Sequence, residues 1–214
     1  LMALNILVTV YISSEQSNSD LAILNYKKSL LEPIADFLER FGLKIASILI
    51  LIIATYRLTD IVMGPMANPF YIDMGYSLSE IGYVVKIVAL IATIIGVFIG
   101  GIFVKKLGLY NSLLIGAFLV MFTNLSFSYA SINEKNLVLL ASIVASDSLA
   151  AGIVGTVNIT FLTSLVSSKY TGFQYALLTS LMAFLGKLFG GFSGVFVESF
   201  QNLYGFSYGW MSFY

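Results

Sequence analysis

The sequence predicts an all-α membrane protein made of a bundle of spanning helices. Three observations carry that prediction. First, 58% of the 214 residues are hydrophobic and 10% are charged, with a mean hydropathy of +0.93. A soluble domain carries about 25% charged and about 45–50% apolar residues, so this chain holds more apolar surface than a soluble fold of its length could hide. Second, apolar stretches long enough to cross a bilayer recur at short intervals. Third, the basic residues between them fall unevenly on alternate connections. The composition also excludes chemistry. Without cysteine or histidine there are no disulfides, thiol nucleophiles or imidazole triads, and nearly all zinc sites are ruled out. A net charge of zero argues against nucleic-acid binding, which needs a basic field. No metal, cofactor or nucleic-acid partner is expected, and an enzyme is disfavoured.

Taken in order, residues 1–12 form an apolar run without a charged flank or signal-peptide pattern, read as the end of a truncated spanning helix. Residues 13–40 form a linker that begins polar and then carries Lys27, Lys28, Glu32, Asp36, Glu39 and Arg40. Leu21, Leu24, Leu31, Ile34 and Leu38 give it the apolar face of a surface helix, which Pro33 is expected to interrupt. A span needs about 20 apolar residues to cross a hydrocarbon core of about 30 Å. Within 41–214 the stretches 41–74, 80–104, 111–130, 137–166 and 173–197 meet that length, and 208–214 opens a last helix. Both ends read as interruptions, so a fragment or a split, truncated product is expected.

Cytoplasmic connections accumulate Lys and Arg. Lys27, Lys28, Arg40, Lys44, Lys105, Lys106 and Lys169 fall on one side if every span crosses once, and only Lys135 falls on the other. The linker is therefore placed in the cytoplasm and the chain in a membrane as a multi-pass protein.

Five charges lie inside the spans: Arg57, Asp60, Lys86, Asp147 and Lys187. Each such charge costs roughly 2.5–3.5 kcal/mol at the helix centre on insertion scales. The structural alternative is one internal ion pair plus lysines snorkelling from helix ends. Placement favours function for the first four. Arg57 and Asp60, three apart, share a helical face. Asp147 lies about eleven residues into its span, roughly 16 Å deep, too far to snorkel. Lys86 is nearer its boundary, and Lys187 sits toward the outer end of its helix. Helix breaks are expected beside these charges at Gly64, Pro65 and Pro69, and at Gly152 and Gly155. Polar residues at such depth face protein or water, and Asn158 is among them. A charged, interrupted helix recurring three spans later points to a transporter site in inverted repeats. Gly96-x-x-x-Gly100 on the second span and Gly186-x-x-x-Gly190 on the fifth allow close helix approach. The third span has no charge, and its Asn124 is read as support.

Several strings carry a family resemblance. Lys105-Lys106-Leu107-Gly108 after Gly100-Gly101 resembles the glycine-and-basic loop of the major facilitator superfamily, without its acidic residue. Tyr56-Arg57-Leu58-Thr59-Asp60, through Gly64-Pro65, Ala67 and Pro69-Phe70 to Asp73-Met74-Gly75-Tyr76-Ser77 and Glu80-Ile81-Gly82, is similar to the AmpG-type muropeptide permeases. More distantly it is similar to the acetyl-coenzyme A transporters. Asp147-Ser148-Leu149 with Gly152, Lys86, and Tyr170-Thr171-Gly172-Phe173-Gln174-Tyr175 agree with it. The chain departs from the family pattern at Asp147, where Glu followed by Asn is expected, and at Lys187, where Arg is expected.

The resemblance spans about residues 41–214. It implies the C-terminal six-helix half of a major-facilitator-type transporter, in two inverted three-helix repeats, in a bacterial inner membrane. The implied activity is proton-coupled import of anhydro-muropeptides, sugar–peptide fragments recovered in peptidoglycan recycling. Arg57, Asp60, Lys86 and Asp147 would form the proton and substrate pathway, since a carboxylate out of water takes up a proton readily. Asn158, Gln174 and Lys187 are candidate substrate contacts. The implied partners are the sugar–peptide or another anionic small molecule, protons, the lipid bilayer, and an N-terminal half-transporter or a second copy. Two alternatives stand beside this reading: a degenerate fragment inactive alone, and a carrier of another anionic metabolite such as acetyl-coenzyme A.

Overall fold

The computed structural model describes residues 26–214, with side chains from residue 31 onward. The apolar run 1–12, the start of the linker and the Lys27 and Lys28 side chains lie outside the described residues. Every described element is helical. Five stretches are long and apolar enough to cross a membrane: Leu31–Asp73, Leu78–Leu107, Leu109–Ser131, Leu137–Leu165 and Thr171–Tyr204.

Helix α1 (Tyr26–Tyr56) carries the linker into the first span. Pro33 does not interrupt it, contrary to expectation. The break falls at Gly42 (φ 71°, ψ 155°), a backbone conformation that only glycine adopts without strain. Proline inside a helix costs about 3 kcal/mol, and here tertiary contacts hold the helix together across it. Gln174, buried at 2% exposure, donates from Nε2 to the Pro33 carbonyl (2.8 Å) and to Asp36 Oδ2 (2.9 Å). Its Oε1 accepts from Arg40 Nη2 (3.0 Å) and from the Ser167 amide (2.7 Å). All of its hydrogen-bonding capacity is used. Tyr170 adds a bond from its hydroxyl to Glu32 (3.1 Å). The linker helix is thus clamped to the bundle, over a core that includes Phe37, Ala46, Ile53, Leu162 and Leu178.

The first span continues irregularly. Arg57 leaves helical geometry (φ −109°, ψ 12°), α2 covers Leu58–Met63, a 3₁₀ turn covers Gly64–Met66, and α3 covers Ala67–Asp73. The Gly64-Pro65 interruption is therefore present. Pro69 breaks nothing, because it occupies the first turn of α3, where amides have no intrahelical partner. The second span is α4 (Leu78–Tyr83), a π-turn at Val84–Ala89, and α5 (Leu90–Leu107). Ser77 caps α4 through a reciprocal bond set with Glu80. Glu80 also pairs with Lys135 (2.8 Å), tying this end to the connection before the fourth span. Gly108 (φ 81°) turns the chain into α6 (Leu109–Ser131).

The fourth span, α7 (Leu137–Leu165), is unbroken and the most deeply buried of the five. The breaks expected at Gly152 and Gly155 do not occur, so the interrupted helix of the first span does not recur here. Gly152 serves close packing instead. A Cβ there would strike the Thr93 carbonyl and lie 2.9 Å from the Val97 amide nitrogen. A Cβ on Gly96 would strike the Leu149 carbonyl, and one on Gly100 would lie 2.9 Å from the Ile153 carbonyl. Helices α5 and α7 therefore meet backbone to backbone along a glycine seam. The fifth span is not one helix: α8 (Thr171–Gly190) and α9 (Ser193–Tyr204) are separated at Gly191–Phe192. Gly186 and Gly190 admit Ile61 of α2, which a Cβ at either position would meet at 2.6 Å and 3.1 Å. Helix α10 (Phe206–Phe213) completes the described chain. Trp210 packs edge-on against Phe70 and donates from Nε1 to Asp73 (3.0 Å). The second buried cluster, with Phe127 and Ile143, lies at this end.

Two outcomes follow from the packing. Gly152→Ala should destabilise the protein by about 1–3 kcal/mol through overpacking, lowering its melting temperature in detergent by several degrees. Gly155→Ala, where a Cβ meets open space, should leave it unchanged or raise it. Gln174→Leu should strand the Pro33 carbonyl and the Ser167 amide at about 1–3 kcal/mol each, while Asp36 and Arg40 keep each other as partners. Hydrogen exchange over residues 31–41 should then accelerate about ten-fold or more while the α5–α7 seam stays protected.

Candidate functional site

The irregular first span, α6 and α7 enclose a cavity of about 200 Å³. Arg57, Asp60, Met63, Gly64 and Ala67 come from the first span, Val120, Asn124 and Phe127 from α6, and Asp147, Ala150 and Ala151 from α7, with Tyr214 at one edge. A second lobe of about 260 Å³ shares Met63, Val120, Asn124 and Tyr214. Local sequence explains the shape. The break at Arg57 and the turn at Gly64–Met66 free α2 from the line of its neighbours, and the small side chains of Ala150 and Ala151 leave room opposite.

Arg57 and Asp60 form an ion pair, Nε to Oδ2 at 3.5 Å. Both atoms are buried, and neither completes a hydrogen bond. The pair is thus electrostatically matched while keeping bonding capacity for a proton, water or ligand. A buried polar atom left without a partner is costly and uncommon. Asp147 lies near Thr123 and within the field of the Asp60 carboxylate. The Thr123 hydroxyl donates to the Val120 carbonyl (3.0 Å). The hydroxyl of Tyr214 is buried without a partner, its ring stacked on Phe127 at 4.8 Å. Tyr56, adjacent to Arg57, donates to the Leu113 carbonyl (3.1 Å) across Gly116, whose missing side chain makes the space.

Three of the expected pathway residues therefore meet: Arg57, Asp60 and Asp147. Lys86 and Lys187 do not join them. Both are exposed, and neither lines the cavity. Gln174 is not open to a ligand, because it is buried and saturated by the linker clamp. Asn158 is buried away from the cavity. Its Nδ2 reaches Met182 Sδ at 3.4 Å, and its Oδ1 has no partner. Asn124, read from sequence as support, lines both lobes. Its signal was a lone amide in an uncharged span. Tyr214 had no polar signal in the sequence, since aromatic residues there mark only a helix start.

No protein-family model matches the chain. Curated relatives do. The transporter AmpG 1 of Rickettsia prowazekii is 32% identical over 181 residues, covering 83% of this chain and 39% of the relative. The AmpG 1 of Rickettsia conorii is 31% identical over 189 residues, covering 88% and 43%. The anhydromuropeptide permease of Escherichia coli K12 is 30% identical over 190 residues, covering 88% and 36%. The chain thus spans less than half the length of the curated relatives it matches, and those relatives are transporters and a permease, not enzymes. Over most of its length the chain is a distant homologue of the AmpG-type anhydromuropeptide permeases, transporters of the major facilitator superfamily.

Proposed function

We propose that the chain acts in transmembrane transport, as the six-helix half of a major-facilitator-type carrier that imports anhydro-muropeptides with protons. The observation that carries this reading is the meeting of Arg57, Asp60 and Asp147 around one cavity at membrane depth. Charges there are expensive and mark ion or substrate pathways. Asp60 or Asp147 accepts the proton on each cycle. Arg57 holds Asp60 ionised until the proton displaces the pair, and Arg57, Lys86 and Lys187 supply the cations that a carboxylate cargo requires. Two inverted three-helix units, with the linker in the cytoplasm, give alternating access against a second half or a second copy of the chain. The homology to a permease of sugar–peptides supports the cargo class; acetyl-coenzyme A is the competing anion.

The test is uptake of labelled anhydro-muropeptide into vesicles under an imposed proton gradient, using the whole reading frame that contains this chain. Asp60→Asn and Arg57→Ala should each lower uptake about 10–100-fold, the scale of a lost charged contact of about 1.5–3 kcal/mol. Wild-type, proton-dependent uptake in both variants would overturn the assignment. Uptake of acetyl-coenzyme A in place of the muropeptide would keep the transporter reading and replace its cargo.

A further inference from the structure

The three elements that wall the Arg57–Asp60–Asp147 cavity also wall a second one, a single helical turn nearer the end of the bundle away from the linker. On the first span Ala67 lines the inner cavity, and Phe70 and Tyr71 line the outer. On α6 the pair is Phe127 and Ala130, and on α7 it is Asp147 and Ile143. Residues three or four apart share a helical face, about 4.5–6 Å along the axis, so the two cavities stack end to end. Between them stands a partition of rings. Tyr71 lies against Phe127 (6.2 Å) and Phe127 against Tyr214 (4.8 Å), with Phe70 edge-on to Phe127 (5.8 Å).

The outer cavity is about 10 Å³, the space of one water. Its polar lining is Tyr71, Tyr76, Asn133 and Lys135. Three of these are engaged: Tyr76 donates to the Asn136 carbonyl (2.9 Å), Asn133 to the Tyr129 carbonyl (2.6 Å) and Lys135 to Glu80 (2.8 Å). The Lys135 and Glu80 side chains are 41% and 31% exposed, so this end of the path reaches the surface. Tyr71 differs from its neighbours. It is 4% exposed, and its hydroxyl makes no hydrogen bond among the described residues. It stands in the field of Asp147 and acts on the Tyr214 hydroxyl, both of which line the inner cavity. The other nearby carboxylates are occupied: Asp73 accepts from Trp210, Glu80 pairs with Lys135, and Asp60 pairs with Arg57. Asp147 has no ion-pair partner among the described residues. A hydroxyl can accept one proton while giving up another, and Tyr71 has both capacities free.

We propose that the outer cavity is the port through which protons reach Asp147, and that Tyr71 carries them across the ring partition. A hydronium in the port gives its proton to the Tyr71 oxygen and becomes water. The original Tyr71 O–H bond breaks, and the released proton passes by inner-cavity water to an Asp147 carboxylate oxygen, where the new O–H bond forms. The phenol ends neutral, and rotation of its hydroxyl resets it. This port rests on the transporter reading above, to which it adds the route by which the proton arrives. Tyr71 is here a positioning residue for that transfer, distinct from any contact with the cargo.

Tyr71→Phe removes the hydroxyl, keeps the ring against Phe127 and breaks no hydrogen bond, so the variant should fold. The protein, expressed from the whole reading frame and reconstituted in vesicles of one orientation, is followed by time-resolved infrared spectroscopy. Protons are released by photolysis of a membrane-impermeant caged acid on one face at a time. The carbonyl band of protonated Asp147 is assigned by its loss in Asp147→Asn. After a pulse on the face away from the linker, this band should rise about 100-fold more slowly in Tyr71→Phe, the scale of a positioned proton-transfer group. Its final amplitude at equal pH should match the wild type, whereas a purely structural defect would change the amplitude. Tyr71→His returns a proton-carrying ring and should recover most of the rate. An unchanged rate in Tyr71→Phe overturns the relay, and so does the absence of any protonated Asp147 band. A slowing confined to pulses on the linker's face overturns the port. The measurement needs no cargo, so a failure to take up anhydro-muropeptide would count against the cargo alone and leave this result to stand or fall by itself.

Discussion

The close approach of α5 and α7 is the constraint on which the rest of the bundle depends. Lipid tails are as apolar as leucine side chains, so helices in a bilayer gain little from hiding apolar surface against each other. What holds them is dense packing, and density requires that backbones come close. Gly96, Gly100 and Gly152 permit this, each placed where a methyl group would meet the other helix's main chain or side chains. The seam sets the rotation of α7 and, with it, the direction of Asp147. It also obliges the second span to keep one face on α7 throughout, which a regular helix could not do from Val84 to Gly100. The π-turn follows from that obligation.

The first span meets the opposite demand. Its Arg57 and Asp60 need room, and the chain provides it by leaving helical geometry at Arg57 and again at Gly64–Met66. A broken helix in a membrane exposes backbone groups that must be satisfied by protein or water. Here the break is covered by α7 and α6 on one side and by α8 on the other, where Gly186 and Gly190 receive Ile61. Rigid packing on one flank and irregular backbone on the other leave a cavity whose polar atoms are paired by charge but not used up by hydrogen bonds.

Toward the ends of the bundle the logic is reversed: polar groups are consumed. Gln174 spends both donors and both acceptors on the linker helix and Ser167. Glu80, Lys135, Ser77, Tyr76 and Asn136 knit the other end, with the Tyr76 hydroxyl 2.9 Å from the Asn136 carbonyl. Free capacity in the middle and saturated capacity at the ends separate the candidate site from the scaffold. That contrast removes Gln174 from the candidate contacts and brings Asn124 in.

By itself the sequence determined the solvent, the helical class and the residues whose charge is out of place, because hydropathy and the cost of a buried charge are properties of single residues. Arg57, Asp60 and Asp147 were legible for that reason, and so was the proline-bearing turn at Gly64–Met66. Only the tertiary structure decided which of the charges meet. Lys86 and Lys187 have the same intrinsic cost as Arg57, but helix rotation is set by contacts with other spans and turned both outward. It also decided what the glycines do. The same residue type frees a turn at Gly42, where φ is positive, and tightens a continuous helix at Gly152, where a neighbouring backbone fills the space of the missing side chain. That difference is a matter of what lies across the interface, which no local pattern contains.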